Sequence, residues 1–167
     1  MFIVEVIRQT PLYIWFLLAF LIFRGLQSAK DGVLSIPKMM IVPVIFMLWG
    51  LETIFTRFEH LGVALVGYLL CAGMGTLAGN ALYAKYRTIY QKEQRFYRSG
   101  TYLPLVIILM NFVVKYALNV SLALNPSLYG NLMFTVLYCL FSGVSVGLFI
   151  GGIWNAYVCS SRLKFSM

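Results

Sequence analysis

The stretch LGVALVGYLLCAGMGTLAGNALY, residues 61–83, is 23 residues long and carries no charged side chain. A helix needs about 20 predominantly apolar residues to cross the hydrocarbon core of a bilayer, so this stretch predicts a transmembrane helix. We expect an all-α protein, because a helix satisfies its own backbone hydrogen bonds in lipid. Residues 1–167 then form a single polytopic bundle of five spans, at about 11–29, 37–58, 61–83, 102–124 and 129–157.

The composition agrees with a lipid environment. Apolar residues make up 61% of the chain and charged residues 11%, whereas a soluble domain carries about 25% charged residues. The net charge of +8 would favour a nucleic-acid partner in a soluble protein. Here the lysines and arginines flank the apolar stretches, as membrane topology requires. We therefore expect membrane lipids as partners and no nucleic acid.

The basic residues also predict how the chain is oriented. Ten of the 13 lysines and arginines fall in loops on one side of the predicted membrane, and two, Arg8 and Arg57, fall on the other. The richer side faces the cytoplasm under the positive-inside rule. With five spans, the N-terminus is then outside and the C-terminus is cytoplasmic. The expected location is the inner, or plasma, membrane of the cell.

The longest predicted loop, residues 84–101, is basic and lies on the cytoplasmic side. Tyr83, Tyr86 and Tyr90 recur at helical spacing, which predicts that the third helix continues past the lipid. The loop charges are typical of ordinary positive-inside bias. They also fit a surface for anionic lipid headgroups or a protein partner. The candidate residues of that surface are Lys85, Arg87, Lys92, Arg95 and Arg98.

Small residues recur every four positions along the third and fifth spans. Such a stripe lets two helix backbones approach closely, as in GxxxG pairs. Because both spans run from outside to inside, we expect them to pack in parallel within one chain; the same motif also fits a homo-oligomer interface. The stripes are Gly67, Cys71, Gly75 and Gly79 in the third span, and Cys139, Gly143, Gly147 and Gly151 in the fifth.

A polar stripe in the fourth span marks the candidate site. Asn111, Lys115 and Asn119 are four residues apart and share one helix face. Lys115 lies roughly 13 Å, and Glu52 of the second span roughly 9 Å, from the outer ends of their helices at 1.5 Å per residue. Intramembrane ionisable residues are often functional, so Glu52, Asn111, Lys115 and Asn119 form a candidate intramembrane polar site. We favour a structural role for Lys115, in a salt bridge with Glu52 or as a lysine that snorkels to the outer interface; a substrate or ion site is the alternative.

Ligands for a metal or haem are scarce in this sequence. It has one histidine, His60, and three cysteines, Cys71, Cys139 and Cys159, none of them in a C-x-x-C pair. Structural zinc sites, b-type haem and dithiol relays need more such residues. We therefore expect no metal and no cofactor.

Three short segments carry a resemblance: Arg98-Ser99-Gly100-Thr101-Tyr102-Leu103-Pro104-Leu105, Val114-Lys115-Tyr116-Ala117 and Trp49-Gly50-Leu51. In them the chain resembles a family of small uncharacterised bacterial inner-membrane proteins. That family is similar in size and span count to CcdC-type proteins, which are linked to cytochrome c maturation. The resemblance implies a bacterial inner-membrane location and places Lys115 in a resembling segment, but it implies no particular activity.

These features predict a small non-enzymatic membrane protein that acts in transport or as a membrane-embedded assembly component. It would work as a homo-oligomer or with another membrane protein. The alternative is a membrane-embedded enzyme, or a redox accessory of cytochrome maturation, that acts on a lipid or quinone. In that case Lys115, Glu52 and the two asparagines form the polar centre, and no catalytic residue is identified.

Overall fold

The computed structural model describes residues 11–92 and 95–165, and this part of the chain is mainly helical. Each of the five predicted spans falls on a helix. The helices are α1 (Leu12–Ser28), α2 (Ile36–Arg57), α3 (Leu61–Tyr86), α4 (Leu103–Leu124) and α5 (Leu132–Phe165). Between them lie three short strands, β1 (Gly32–Val33), β2 (Ile89–Lys92) and β3 (Arg95–Arg98), and a 3-10 helix, Pro126–Gly130.

Helices α2 to α5 are long and apolar enough to cross a membrane, which makes four such helices in the described residues. Helix α1 is also apolar but has 17 residues, fewer than the about 20 that a span usually needs. Large apolar side chains such as Leu69, Leu77 and Met133 point outward from the bundle. Exposed apolar faces of this kind suit lipid tails rather than water. The chain is therefore a helical membrane protein.

Helices α3 and α5 pack backbone to backbone. Gly75 faces the backbone carbonyl of Val144, and Gly147 faces that of Ala72, so a side chain at either glycine would overlap the opposite helix. The contact advances by four residues on both helices, which means that they run parallel. The next pairs along the same contact are Gly79 with Leu148 and Gly151 with Thr76.

The remaining helices complete the bundle around this pair. Helices α2 and α4 pack on α5, and α1 packs on α4. Both α2 and α4 begin with a proline in the first turn, Pro37 and Pro104, where the missing N–H costs no helical hydrogen bond. Apolar side chains from all five helices fill the core, among them Leu21, Phe46, Ala64, Ile108 and Val146.

The loop after α3 differs from the prediction. Helix α3 ends at Tyr86, and Tyr90, which was expected to continue it, lies in β2. Strands β2 and β3 form an antiparallel hairpin in which the Tyr90 and Tyr97 rings stack 5.9 Å apart. Strand β1, from the α1–α2 connection, pairs with the other edge of β3. Aromatic and β-branched residues favour this pairing over a helix. We call this part of the molecule the sheet end.

Candidate functional site

Lys115 of α4 lies inside the bundle and is 0% exposed. Its Nζ donates a hydrogen bond of 2.7 Å to the backbone carbonyl oxygen of Phe46 on α2. The same atom lies 5.7 Å from the centroid of the Phe46 ring and 5.8 Å from that of Trp49. These two rings stabilise the ammonium by cation–π attraction. An ammonium has three N–H donors, so Lys115 keeps donors for a further acceptor.

The close approach of Lys115 to α2 depends on Gly50. A Cβ added at Gly50 would lie 3.0 Å from Lys115 Nζ and 2.6 Å from the Ser142 hydroxyl on α5. It would also lie 3.3 Å from the Tyr68 hydroxyl on α3. The absence of a side chain at residue 50 therefore makes the space in which polar groups from α3, α4 and α5 meet.

Both polar atoms of the buried Asn111 amide have no hydrogen-bond partner within residues 11–92 and 95–165. The Tyr68 and Ser142 hydroxyls interact with each other and lie with Lys115 Nζ around Gly50. Nearly all buried polar atoms in folded proteins are paired, and an unpaired one costs about 1–3 kcal/mol. Grouped around a buried ammonium, these atoms are able to bind a polar ligand.

Glu52 does not pair with Lys115, which corrects one expectation from the sequence. Its exposed carboxylate accepts hydrogen bonds from Thr56 at 3.3 Å and Thr53 at 3.4 Å, both on its own helix. At about 100° per residue, Glu52 points roughly 110° away from the face of α2 that meets Lys115. Similar depth along their helices therefore does not bring the two charges together. Since Lys115 is fully buried, it does not snorkel to the outer interface either.

The two asparagines of the polar stripe take different positions. Asn111 is buried, whereas Asn119 is half-buried and donates a hydrogen bond of 2.9 Å to the backbone carbonyl of Lys115. Asn119 Oδ1 also lies 3.5 Å from the hydroxyl of Thr53, which in turn contacts Glu52. The structure thus brings Asn111, Lys115 and Asn119 to one site and leaves Glu52 at its edge.

A cavity of about 300 Å³ lies between α1, α2 and α4, at the end of the bundle opposite the sheet. Its lining includes Glu52, Asn119, Arg57 and Trp49. Because Trp49 also lies against the Lys115 ammonium, its indole ring stands between this cavity and the buried lysine. We call this space the outer cavity.

A second cavity, of about 260 Å³, lies at the sheet end. Phe149 lines it, and its ring stacks on that of Phe46 with centroids 6.0 Å apart. The Phe46 ring contacts Lys115, so a stacked aromatic pair stands between this second cavity and the lysine. We call this space the inner cavity, and four basic side chains line it: Arg24, Lys38, Arg87 and Arg98.

The five basic residues predicted to form a headgroup or partner surface divide into two groups. Lys85, Lys92 and Arg95 are exposed. Arg87 and Arg98 instead line the inner cavity, and burial lowers the pKa of both guanidinium groups. Both stay charged at neutral pH, because an arginine side chain is not deprotonated in proteins.

The cysteines are free thiols, and Cys139 Sγ donates a hydrogen bond of 3.2 Å to the backbone carbonyl of Ala64. In the part of the chain that the structure describes, no cluster of three or more His, Cys, Asp or Glu side chains is placed to hold a metal ion.

The sequence did not single out the site residues that come from α3 and α5. Tyr68 directly follows Gly67, and Ser142 directly precedes Gly143, in the two small-residue stripes. At these positions both side chains lie beside the α3–α5 contact and are buried. This adjacency is the signal by which both hydroxyls could have been predicted.

A family model matches residues 1–157, and its description is a family of unknown function, DUF6622. No match was found among curated proteins or among solved structures.

Proposed function

The chain belongs to the DUF6622 family, and we propose that it is a transport protein in which Lys115 binds a small anion within the membrane. One observation carries this proposal. Lys115 is a fully buried ammonium with a single carbonyl acceptor and no carboxylate partner among the described residues. A charge at the centre of a membrane helix costs about 2.5–3.5 kcal/mol on insertion scales. Residues kept at that cost typically mark substrate or ion pathways.

The groups around Lys115 suit an anion rather than a cation. The Tyr68 and Ser142 hydroxyls and the Asn111 amide can each donate a hydrogen bond, and the Asn111 amide has no partner in the described residues. An anion would accept these donors and neutralise the ammonium, whereas a cation would be repelled by it. Charge-assisted hydrogen bonds of this kind are roughly twice as strong as neutral ones.

The two cavities support a route to Lys115 from both ends of the bundle. The outer cavity reaches the lysine past Trp49, and the inner cavity reaches it past the stacked rings of Phe149 and Phe46. Rotation of an aromatic ring on either side would connect the site to one cavity at a time. Alternating exposure of a central site is how membrane transporters move solutes.

We propose five spans, an external N-terminus and a cytoplasmic C-terminus for this transporter. The bias of ten basic residues against two supports this orientation. A bacterial inner-membrane location, which the resemblance to small uncharacterised bacterial membrane proteins implies, is part of the same proposal. The α3 and α5 stripes face each other within the chain, so a homo-oligomer or a membrane-protein partner would have to use other helix faces.

A second candidate is a membrane-embedded enzyme that acts on a lipid or quinone. It is favoured by one observation, that Lys115 Nζ and the Ser142 hydroxyl both converge on Gly50. A serine activated by a lysine is a known arrangement for acyl transfer. Transport is the better-supported function, because Ser142 is 0% exposed and a nucleophile must reach its substrate.

Anion uptake into proteoliposomes tests the proposal. Radiolabelled chloride, phosphate, sulfate and lactate are offered separately to vesicles with and without the purified protein. We expect protein-dependent uptake of at least one anion, reduced at least about tenfold in Lys115→Met, the effect of losing one charge-assisted hydrogen bond. Lys85→Met, which removes an exposed lysine outside the site, is the matched control and should transport normally.

Two results would reject anion transport through Lys115. One is the absence of uptake for all four anions, and the other is equal uptake by the wild type and a folded Lys115→Met. Thermal unfolding in detergent establishes that the variant is folded. Release of a modified lipid that depends on Ser142 would support the enzyme instead, and stoichiometric co-purification with another membrane protein would support an assembly role.

A further inference from the structure

The inner cavity is lined by positive charge alone. Arg24, Lys38, Arg87 and Arg98 reach it from α1, α2, the end of α3 and β3. Across residues 11–92 and 95–165, no aspartate or glutamate lines it. Four cations around a space of about 260 Å³ repel one another in a region of reduced dielectric constant. An anion in this space would lower the electrostatic energy.

Arg87 is the most buried of the four and is 6% exposed. Its Nη2 donates a hydrogen bond of 2.5 Å to the backbone carbonyl oxygen of Gly152, and its guanidinium carbon lies 4.7 Å from the centroid of the Tyr83 ring. Its Nε has no hydrogen-bond partner in the described part of the chain. The guanidinium is therefore fixed by a carbonyl and a ring while one buried N–H donor stays unused.

Two of the other arginines are also held in place. Arg98 Nη1 donates to the backbone carbonyl of Ser28 at 3.0 Å, and Arg24 donates to the backbone carbonyl of Lys38. The bond to Ser28 caps the end of α1, where helix carbonyls lack partners. This capping role explains why the Arg98 side chain is placed here. It does not explain why the Lys38 ammonium lies at the same cavity or why the Nε donor of Arg87 is unused. Each guanidinium has five N–H donors, so these anchors leave donors for a ligand.

We propose that the inner cavity binds a phosphoryl group. Clustered arginines recognise phosphate oxygens through forked, charge-assisted hydrogen bonds. Apolar walls from Val42, Ile108 and Phe149 adjoin the basic groups, which suits a phosphoryl group attached to an apolar molecule. Two sources share this chemistry, the headgroup of an anionic phospholipid and free inorganic phosphate.

Thermal unfolding of the full-length protein in a maltoside detergent tests this site in two arms. One arm titrates inorganic phosphate against chloride at constant ionic strength. The other adds phosphatidylglycerol to the micelles and compares it with phosphatidylcholine. In one arm or the other, we expect the ligand to raise the unfolding temperature of the wild type. The apparent affinity should fall about tenfold or more in Lys38→Gln and Arg87→Lys.

The variants are chosen so that a folding defect cannot decide the result. Lys38 is exposed and its side chain donates no hydrogen bond in the described residues, so Lys38→Gln keeps the fold even if Arg87→Lys does not. Arg95→Gln is the matched control, because Arg95 belongs to the same basic set but is exposed and lies outside the cavity lining. It should respond to the ligand as the wild type does.

Stabilisation by inorganic phosphate that Lys38→Gln abolishes assigns the site to a free anion. Stabilisation by phosphatidylglycerol alone assigns it to a lipid headgroup. No stabilisation in either arm overturns the proposal, and so does an effect that Arg95→Gln weakens as much as Lys38→Gln. The cavity lies on the proposed route to Lys115, but binding here and transport are tested separately: binding here without anion flux would reject the proposed function alone, and flux without binding here would reject this site alone.

Discussion

The Lys115 ammonium donates its hydrogen bond to the carbonyl oxygen of Phe46, one helical turn before Gly50. In an α-helix the carbonyl of residue 46 also accepts the amide N–H of residue 50, so the lysine shares an acceptor that the helix already uses. A shared acceptor satisfies a buried ammonium only in part. Both the position of Lys115 and its capacity to bind a ligand therefore depend on the small residue at position 50.

Replacing Gly50 by alanine should damage the site. The new Cβ would lie 3.0 Å from Lys115 Nζ and 2.6 Å from the Ser142 hydroxyl, so both side chains must shift. Overpacking of this kind costs about 1–3 kcal/mol, and we expect a lower unfolding temperature in detergent. Gly73→Ala is the matched control, because a Cβ there meets nothing within 4 Å and alanine favours a helix. Equal unfolding temperatures for the two variants would contradict this geometry.

Lys115 and Glu52 should behave independently in a double-mutant cycle. The structure pairs Lys115 with a backbone carbonyl and Glu52 with two threonines, so the effects of Lys115→Met and Glu52→Gln on unfolding should add within about 0.5 kcal/mol. Lys115→Met alone should be neutral or stabilising, since methionine occupies similar space without a desolvated charge. A coupling energy above about 1 kcal/mol would indicate an ion pair between the two residues.

The helices could be predicted because each is determined locally. A transmembrane helix satisfies its own backbone in lipid, so an apolar run of sufficient length is enough to predict it. The three-stranded sheet is different, because Gly32 and Val33 pair with Arg98 and Tyr97 from a distant part of the chain. The helical spacing of Tyr83, Tyr86 and Tyr90 contains no information about such a partner.

The candidate site was predictable along one helix but not between helices. The spacing of four residues puts Lys115 and Asn119 on successive turns of one helix, and Asn119 contacts the Lys115 backbone. Sequence also gives depth along each helix. It does not give the rotation of one helix relative to the next, which turns Glu52 away and brings Gly50 and Ser142 to the lysine.

Gly147→Leu should disrupt the α3–α5 contact. A Cβ at Gly147 would lie 2.7 Å from the backbone nitrogen of Thr76, and a helix backbone cannot move aside as a flexible side chain can. We expect the free energy of unfolding to fall by several kcal/mol, more than the about 1–3 kcal/mol of ordinary overpacking. The loss should be visible as aggregation or as a large fall in unfolding temperature. Gly73→Leu on the open face of α3 should unfold close to the wild type. Similar behaviour of both variants would show that the backbones do not meet at Gly147.

The five-span topology predicts that both Tyr13 and Ser127 are external and that the C-terminus is cytoplasmic. The external position of Tyr13 requires that α1 crosses the membrane. This helix has only 17 residues, so it spans the bilayer only if it tilts little or if the bilayer thins locally. Tyr13→Cys and Ser127→Cys, each made without the native cysteines, are treated in intact cells with a membrane-impermeant maleimide. We expect both to be labelled, and a reporter fused after Met167 to be cytoplasmic.

A different labelling pattern would mean that α1 does not cross and that the protein has four spans. In that pattern Ser127→Cys is labelled in intact cells, whereas Tyr13→Cys is labelled only after the membrane is opened. A reporter exposed on the outside would reverse the orientation that the positive-inside rule predicts.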